Sequence, residues 1–470
     1  MSGLRKHIVL ALLVGLGLRL FFVFHFPDTD DDTKIYQALA QNLVDQHTYG
    51  MILQGHMVPL DVRLPVYPVF LAALYLFFGT STRAILLAQV ALDLLTCVLT
   101  ALLAAQLVPE TSRRRAAIVA LWLAATCPFV ANYTAVALTE VLATLLTAAA
   151  LVALVRAYRL EEDARAGSAS DDGGSTRAWF WLAGGLLAGL CTLVRPETPV
   201  LLAAVALVLA VRWCARAEWP RLVRAGALMA FGLLLPLLPW AARNWITLHE
   251  VQFLAPPYIQ LPGRYVNRGF FAWTNTWLLR YHDIDGVLFK LDHEPIQMDD
   301  IPASAFDNAE EGVRVDALLQ EERRTLEISP EVDRQFAELA RARTARHPLR
   351  TYVKIPALRT ATLWFTPRTE LLPYSGELWL SAQQWEDDAV DFSVTLALGL
   401  INLFYIALAL ASAWRWRHEG AVWLLVAFIL VRTIVVAAEH YTPEPRFVLE
   451  CFPAVLALGG LVWARRSSAA

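Results

Sequence analysis

The sequence predicts an all-α polytopic membrane protein. It would have about ten transmembrane helices, interfacial helices on the outer face and a small, mostly helical extracytoplasmic lobe. Three observations predict this class. Hydrophobic residues make up 57 % of the 470 residues and charged residues only 18 %, against roughly 25 % charged in soluble domains. The apolar residues are bunched into runs of about the 20 residues that a bilayer-spanning helix needs. Every second loop between those runs is basic. Such a composition excludes a soluble enzyme, a disordered chain, a coiled-coil rod and a disulfide scaffold. The formal net charge of −3 gives no reason to expect nucleic acid as a partner.

The first run, 7–26, follows Arg5 and Lys6 and leads into three adjacent aspartates. It is longer than the apolar core of a signal peptide and no small-residue cleavage site follows, so it reads as a retained span. Further spans fall at 83–108, 116–132, 138–157, 179–195, 197–213, 225–242, 391–413, 420–438 and 447–464. Arg113, Arg114 and Arg115 separate the second and third, and Arg156, Arg159, Arg165 and Arg177 the fourth and fifth. Arg212, Arg216, Arg221 and Arg224 separate the sixth and seventh, and Arg415 and Arg417 the eighth and ninth. Arg465 and Arg466 follow the last. The positive-inside rule then puts these loops and both termini in the cytoplasm, with the protein in the inner or plasma membrane. The apolar run 66–79 is about 14 residues long, short for a span. Counting it as one would invert every later loop, so it reads as an interfacial or half-inserted helix on the outer face.

Within the long outer segment, 299–347 is strongly charged, and Val315, Leu318, Leu319 and Leu326 recur at helical spacing. Ser329-Pro330-Glu331 has the form of an N-cap, a first-turn proline and an acidic first turn, and Pro348 closes that helix. The segment 351–365 is a candidate for a further membrane element. The loop 167–176 is a flexible linker by composition. The expected organisation is an N-terminal transmembrane module over 1–243 that includes the outer loop 27–82, an extracytoplasmic lobe over 244–390 and C-terminal helices over 391–470. None of the five cysteines has CxxC or Cys/His spacing, so neither a zinc site nor a redox pair is suggested.

Six constellations fall on the outer side. Asp30, Asp31 and Asp32 with Tyr36 follow the first span. They read either as the cap of helix 34–45 or as a general base among crowded carboxylates. Arg63-Leu64-Pro65-Val66-Tyr67-Pro68 is a rigid turn with an interfacial anchor, or part of a site. Thr139-Glu140 sets an acid beside an apolar run, where ionisable groups are functional suspects. Arg195-Pro196-Glu197 breaks the run 179–211. Its Arg and Glu either pair with each other or Arg195 faces an anion. Pro239-Trp240 with Arg243-Asn244, and Glu439-His440-Tyr441 with Glu444 and Arg446-Phe447, complete the set. Arg63, Arg195, Arg243 and Arg446 stand on the side that the positive-inside rule disfavours, which suggests an anionic headgroup.

In this order the six pieces resemble the polytopic GT-C glycosyltransferases that use polyprenyl-phosphate sugars. The nearest branch looks like the dolichyl-phosphate-mannose protein mannosyltransferases and the bacterial transferases that attach aminoarabinose to lipid A. The likeness runs over roughly 8–250 and 390–460. Family members carry an acidic residue four before a Tyr in the first outer loop, a spacing that Asp32 and Tyr36 match. Their Arg-Pro-aromatic-Pro segment looks like Arg63–Pro68 with Tyr67, and their Ser/Thr-Glu like Thr139-Glu140. Their helix-breaking Arg-Pro looks like Arg195-Pro196, their Pro-Trp-x-x-Arg-Asn like Pro239–Asn244, and their late Arg-Tyr like Arg446 with Phe447 in place of Tyr.

The resemblance implies an inverting single displacement. The donor would be a sugar on a polyprenyl monophosphate, with undecaprenyl phosphate the default carrier, and the acceptor a hydroxyl on a lipid, glycan or protein. Asp32 would be the base, with Glu140 beside it, and Tyr36, Arg63, Tyr67, Arg195, Arg243 and Arg446 would hold the donor. No nucleotide site is required. A divalent metal is left open, with Asp30, Asp31, Glu140 and His440 as candidate ligands. The competing classes are a transporter or flippase, which would place its charges mid-span between repeats, and a non-catalytic membrane scaffold.

Overall fold

The structure, a computed structural model, describes residues 2–29, 31–167, 173–256, 265–376, 388–439 and 444–465. It is built of helices, and its sheet, among the described residues, is one antiparallel hairpin. Six helices are long and apolar enough to cross a membrane. They are α1 (Ser2–His25), α4 (Thr82–Gln106), α7 (Glu140–Arg165), α10 (Trp219–Leu248) and the helices Ala389–Arg415 and Gly420–Glu439. A seventh span would be bent by 52°, where α5 (Glu110–Ala125) meets α6 (Pro128–Ala131) and the 3-10 turn that ends at Ala135.

The other expected runs are helical but shorter or less apolar. The run 179–195 belongs to α8 (Gly173–Thr192), and 197–213 to the 16-residue α9 (Pro199–Cys214). The run 447–464 is not one long helix. It is a 3-10 segment, Pro445–Cys451, followed by the 8-residue helix Phe452–Gly459, every residue of which is buried. Prolines explain the breaks. Pro128, Pro199 and Pro453 each sit in a first turn, where a missing N–H costs nothing and a helix restarts. Small residues set how closely α8 packs. A Cβ on Gly185 would stand 2.3 Å from the Met229 carbonyl oxygen of α10, so glycine lets the two backbones touch.

The bend after α5 has a partner that the sequence reading missed. Arg19 of α1 is fully buried and pairs with Asp93 of α4 at 2.6 Å. The same guanidinium donates to the carbonyls of Ala124 (3.2 Å) and Ala125 (2.6 Å) in the last turn of α5, at the bend.

Above one end of this bundle lie α2 (Asp31–Asp45), the hairpin β1 (Gly50–Leu53) and β2 (His56–Pro59), and α3 (Val66–Phe78). The run 66–79 is thus a 13-residue helix that stops at Gly79, where φ is +64°, and leaves Leu76, Phe77 and Phe78 exposed. Two contacts hold the start of α2 against the start of α7. The Asp28 N–H donates to Ala135 O (3.1 Å), and Thr33 Oγ1 donates to Ala137 O (3.2 Å).

The charged segment 299–347, which the arginine pattern assigns to the outer side, folds with the stretch before it around a core of its own. Phe270 and Trp273 of α11 (Arg268–Thr274), Ile284 of α12 (Tyr281–Val287), Leu319 of α13 (Ala309–Thr325) and Phe336 of α14 (Pro330–Arg346) are all buried in it. Val315, Leu318 and Leu319 face inward, while Leu326 ends α13 in a left-handed cap. Ser329 caps α14 by accepting from the Val332 N–H, as its position predicts. Beyond Pro348 the chain is helical again, through a π-turn, Arg350–Lys354, into α15 (Ile355–Trp364).

Candidate active site

Four chain breaks meet at the end of the bundle that α2 covers. Asp32 lies in the first turn of α2 and Glu140 in the first turn of α7. Arg195 sits between α8 and α9, where Pro196 and Pro199 prevent one continuous helix. Arg446 and Phe447 open the 3-10 segment before the last helix. With Arg63, from the turn that leads into α3, they line one cleft of about 650 Å³. Leu288, Phe289, Asp292 and His293 of the outer core line it as well.

Every guanidinium in the cleft has a carboxylate at hand. Arg63 is ion-paired with Asp32 and lies 5.6 Å from the Tyr36 ring centroid. Burial alone would lower the Arg63 pKa, but the Asp32 carboxylate overrides it and holds the group above its usual value. Burial pushes the Tyr36 phenol up to about 12, with the Arg63 charge opposing. Arg195 bridges Glu140 (2.8 Å) and Glu450 (3.2 Å). Arg446 pairs with Glu444 at 2.6 Å. The Phe447 ring lies between two cations, 5.2 Å from Arg195 and 5.6 Å from Arg446.

Two further charged residues complete this network, and the sequence reading passed over both. Glu450 accepts from Arg432 Nη2 (2.6 Å) and from Thr147 Oγ1 (3.2 Å), and Arg432 Nε donates to the Phe447 carbonyl (2.9 Å). Both are buried. Their signal was available, since each is a charge inside an apolar run.

Two expected donor-binding residues lie elsewhere. The Arg243 guanidinium does not line the cleft. It donates to Tyr49 O (2.6 Å), Leu60 O (3.0 Å) and Asn244 Oδ1 (2.9 Å) and stacks on Tyr49 and Trp240, so it ties the hairpin to α10. Tyr67 is fully buried behind the cleft. Its hydroxyl donates to Gln89 Oε1 (2.9 Å) and its ring meets Tyr36 edge-on at 5.1 Å. Asp30, the Asp31 side chain and His440 lie outside the described residues. Among the described residues no group of three or more His, Cys, Asp or Glu side chains gathers to hold a metal ion.

A second cavity, about 330 Å³, opens on the other side of Arg446 and Glu444. Asp28, Tyr133 and Glu370 line it, and the Tyr133 hydroxyl donates to Glu370 (3.1 Å).

No family model and no curated protein matches the chain. Solved structures do match it. An Archaeoglobus fulgidus oligosaccharyltransferase tethered to an acceptor peptide superposes with a TM-score of 0.51 at 15 % identity, over 98 % of this chain and 49 % of that one. The same enzyme in complex with Zn and sulfate gives 0.50 at 15 %, over 97 % and 48 %. ArnT from Cupriavidus metallidurans, bound to undecaprenyl phosphate, gives 0.42 at 13 %, over 97 % and 77 %. The chain spans about half the length of the oligosaccharyltransferase it matches. At this identity the likeness is one of fold: the chain shares the fold of the oligosaccharyltransferase.

Proposed function

We propose that this chain is a membrane glycosyltransferase that moves a sugar from a polyprenyl monophosphate to an acceptor hydroxyl on the extracytoplasmic face. The observation that carries the reading is the convergence of Arg63, Arg195 and Arg446 with Asp32 and Glu140 on one cleft at the ends of apolar helices. A phosphate leaving group needs no proton, but its growing charge needs preorganised donors, and planar guanidiniums are suited to it. The acceptor oxygen attacks the anomeric carbon, the bond to the phosphate oxygen breaks with inversion, and the hydroxyl proton passes to Asp32.

The ion pairs shape how this would run. Arg63 holds Asp32 while the cleft is empty of donor. A donor phosphate competes for Arg63 and so releases the carboxylate to act as base. Glu140 and Glu450 keep Arg195 in place from two sides. Both termini are assigned to the cytoplasm, and 27–82 and 244–390 to the opposite face. The test is transfer from a synthetic polyprenyl-phosphate sugar by purified protein in nanodiscs. Release of free polyprenyl phosphate together with a new glycoside supports the reading. A panel of lipid-phosphate sugars and acceptors that yields neither product counts against it.

A further inference from the structure

We infer that the helical stretch 349–365 is a re-entrant element, which dips from the outer core into the bilayer and returns to the same side. The inference rests on the chain's membrane placement and not on the transfer chemistry.

Its exposed face is apolar. Leu349, Val353, Ala357, Ala361 and Phe365 recur at every fourth position and all five are exposed, Leu349 at 76 % and Phe365 at 58 %. Ile355, Arg359 and Leu363, at the same spacing, are buried on the opposite side. An apolar stripe that faces outward along roughly 25 Å of helix is a lipid-facing pattern. Two exposed cations, Arg346 and Lys354, flank its first turns, and Arg346 is paired with Asp307 (2.8 Å).

The far end of the helix sits deep against two membrane-spanning helices. Trp364 Nε1 donates to Thr433 Oγ1 (2.9 Å), and Asn402 Nδ2 donates to the Trp364 carbonyl (2.6 Å). Thr433 is roughly 9 Å along its helix from the Glu439 end, and Asn402 roughly 20 Å from the Ala389 end. Trp364 therefore stands below the outer ends of both. The chain then turns back. Pro367, Arg368 and Thr369 are buried, Arg368 has φ +59°, and its guanidinium donates to Leu363 O (3.0 Å) and Pro445 O (3.2 Å) over the Phe452 ring. Non-helical backbone at membrane depth is tolerated only where protein covers it, and here protein does. By Ser375 the chain is back at the start of the helix Ala389–Arg415, where the Ser375 N–H donates to Asp391 (2.7 Å). The element thus enters and leaves on one side and changes no later orientation.

The experiment uses the full chain in nanodiscs, with the native cysteines replaced. Spin labels are attached through Leu349→Cys, Val353→Cys, Ala361→Cys and Phe365→Cys, and their collisions with oxygen and with a water-soluble nickel chelate are compared. The expected result is a preference for oxygen that increases from 349 to 365. Free access of the nickel chelate to 361 and 365 overturns the inference, as does shielding from both reagents, which is the outcome for a face covered by a second copy. A parallel measurement needs no substitution. Wild-type protein irradiated with a diazirine-bearing phospholipid should give adducts on peptides from 349–365 as well as 389–415. Adducts on the second stretch alone overturn the inference. A positive result with no glycosyl transfer would leave this element standing and sink the enzymatic reading alone.

Discussion

Asp32 carries the sharpest chemical claim at the scale of single residues. Asp32→Asn keeps size and hydrogen bonding but removes the charge that takes the proton, so turnover should fall by about two to four orders of magnitude. Donor binding should tighten rather than weaken, because the donor phosphate no longer competes with the Asp32 carboxylate for Arg63. A residue that only caps α2 predicts a silent change, since Asn caps helices about as well as Asp. Glu450 makes the second claim. It is the carboxylate shared by Arg195 and Arg432, and Glu450→Gln leaves two buried cations with less countercharge. Removing one member of a buried charged cluster costs about 3–5 kcal/mol, which should appear as a large drop in thermal stability in detergent. Unchanged stability would show that water already compensates these charges. Asp32, Glu140, Arg195 and Arg446 were legible in the sequence because a charge at the end of an apolar run is an anomaly. Arg243 looked the same and serves the hairpin instead. Which way a guanidinium turns depends on the carbonyls of Tyr49 and Leu60, nearly 200 positions away in the chain, and no local pattern encodes that.

Helices were legible where length and periodicity agree, and illegible where burial replaces lipid. α1, α4, α7 and α10 follow from their apolar runs. The run 447–464 looked like another span, yet a segment surrounded by protein needs no set length, and Pro453 marks where its 3-10 turn gives way to a short helix. The opposite holds in the outer core, where caps and spacing are local. Ser329 starts α14 as predicted, and a cluster of ions then joins α13 and α14 to the π-turn. Asp307 binds Arg343 (3.2 Å), Arg346 (2.8 Å) and Arg350 (2.5 Å). Burial pushes the Asp307 carboxyl up, but the hydrogen bonds and charges of these arginines outweigh it and hold the group below the usual carboxylate range. A depressed carboxylate contributes stability that is fully present above its unfolded pKa of about 3.9 and is lost as the pH falls through its folded value. Asp307→Asn should therefore lower the thermal stability of the outer core at pH 7, and the gap to wild type should close as the pH falls through the depressed folded value. Hydrogen exchange over α13 and α14 measures this. A gap of constant size across that range would mean that the pairing contributes no pH dependence.

For the whole molecule the question is which end faces which side, and the ion pairs of the two ends already separate. Asp32, Glu140, Arg195 and Arg446 meet at one end of the bundle. At other loop ends, Arg159 reaches Glu419 (2.9 Å), Arg165 reaches Glu218 (2.8 Å), and Ser112 Oγ donates to the Arg465 carbonyl (2.7 Å). Loops that alternate in sequence are thus grouped in space, as they must be if every intervening stretch crosses the bundle once. That includes the bent pair α5 and α6 and the short α9, whose lengths alone would not require it. The parity read from arginine counts depends on both. If α9 failed to cross, 249–376 would share a side with Arg113–Arg115. Arginine-rich short loops favour the cytoplasm, so the end that holds the cleft should be external. Val313 is exposed on α13, and Arg114 is exposed near the start of α5. In intact cells a membrane-impermeant maleimide should label Val313→Cys at once and Arg114→Cys only after permeabilisation. The reverse pattern would place the cleft in the cytoplasm, away from any donor presented in the outer leaflet. Labelling of both in intact cells would mean that α5 and α6 together do not cross.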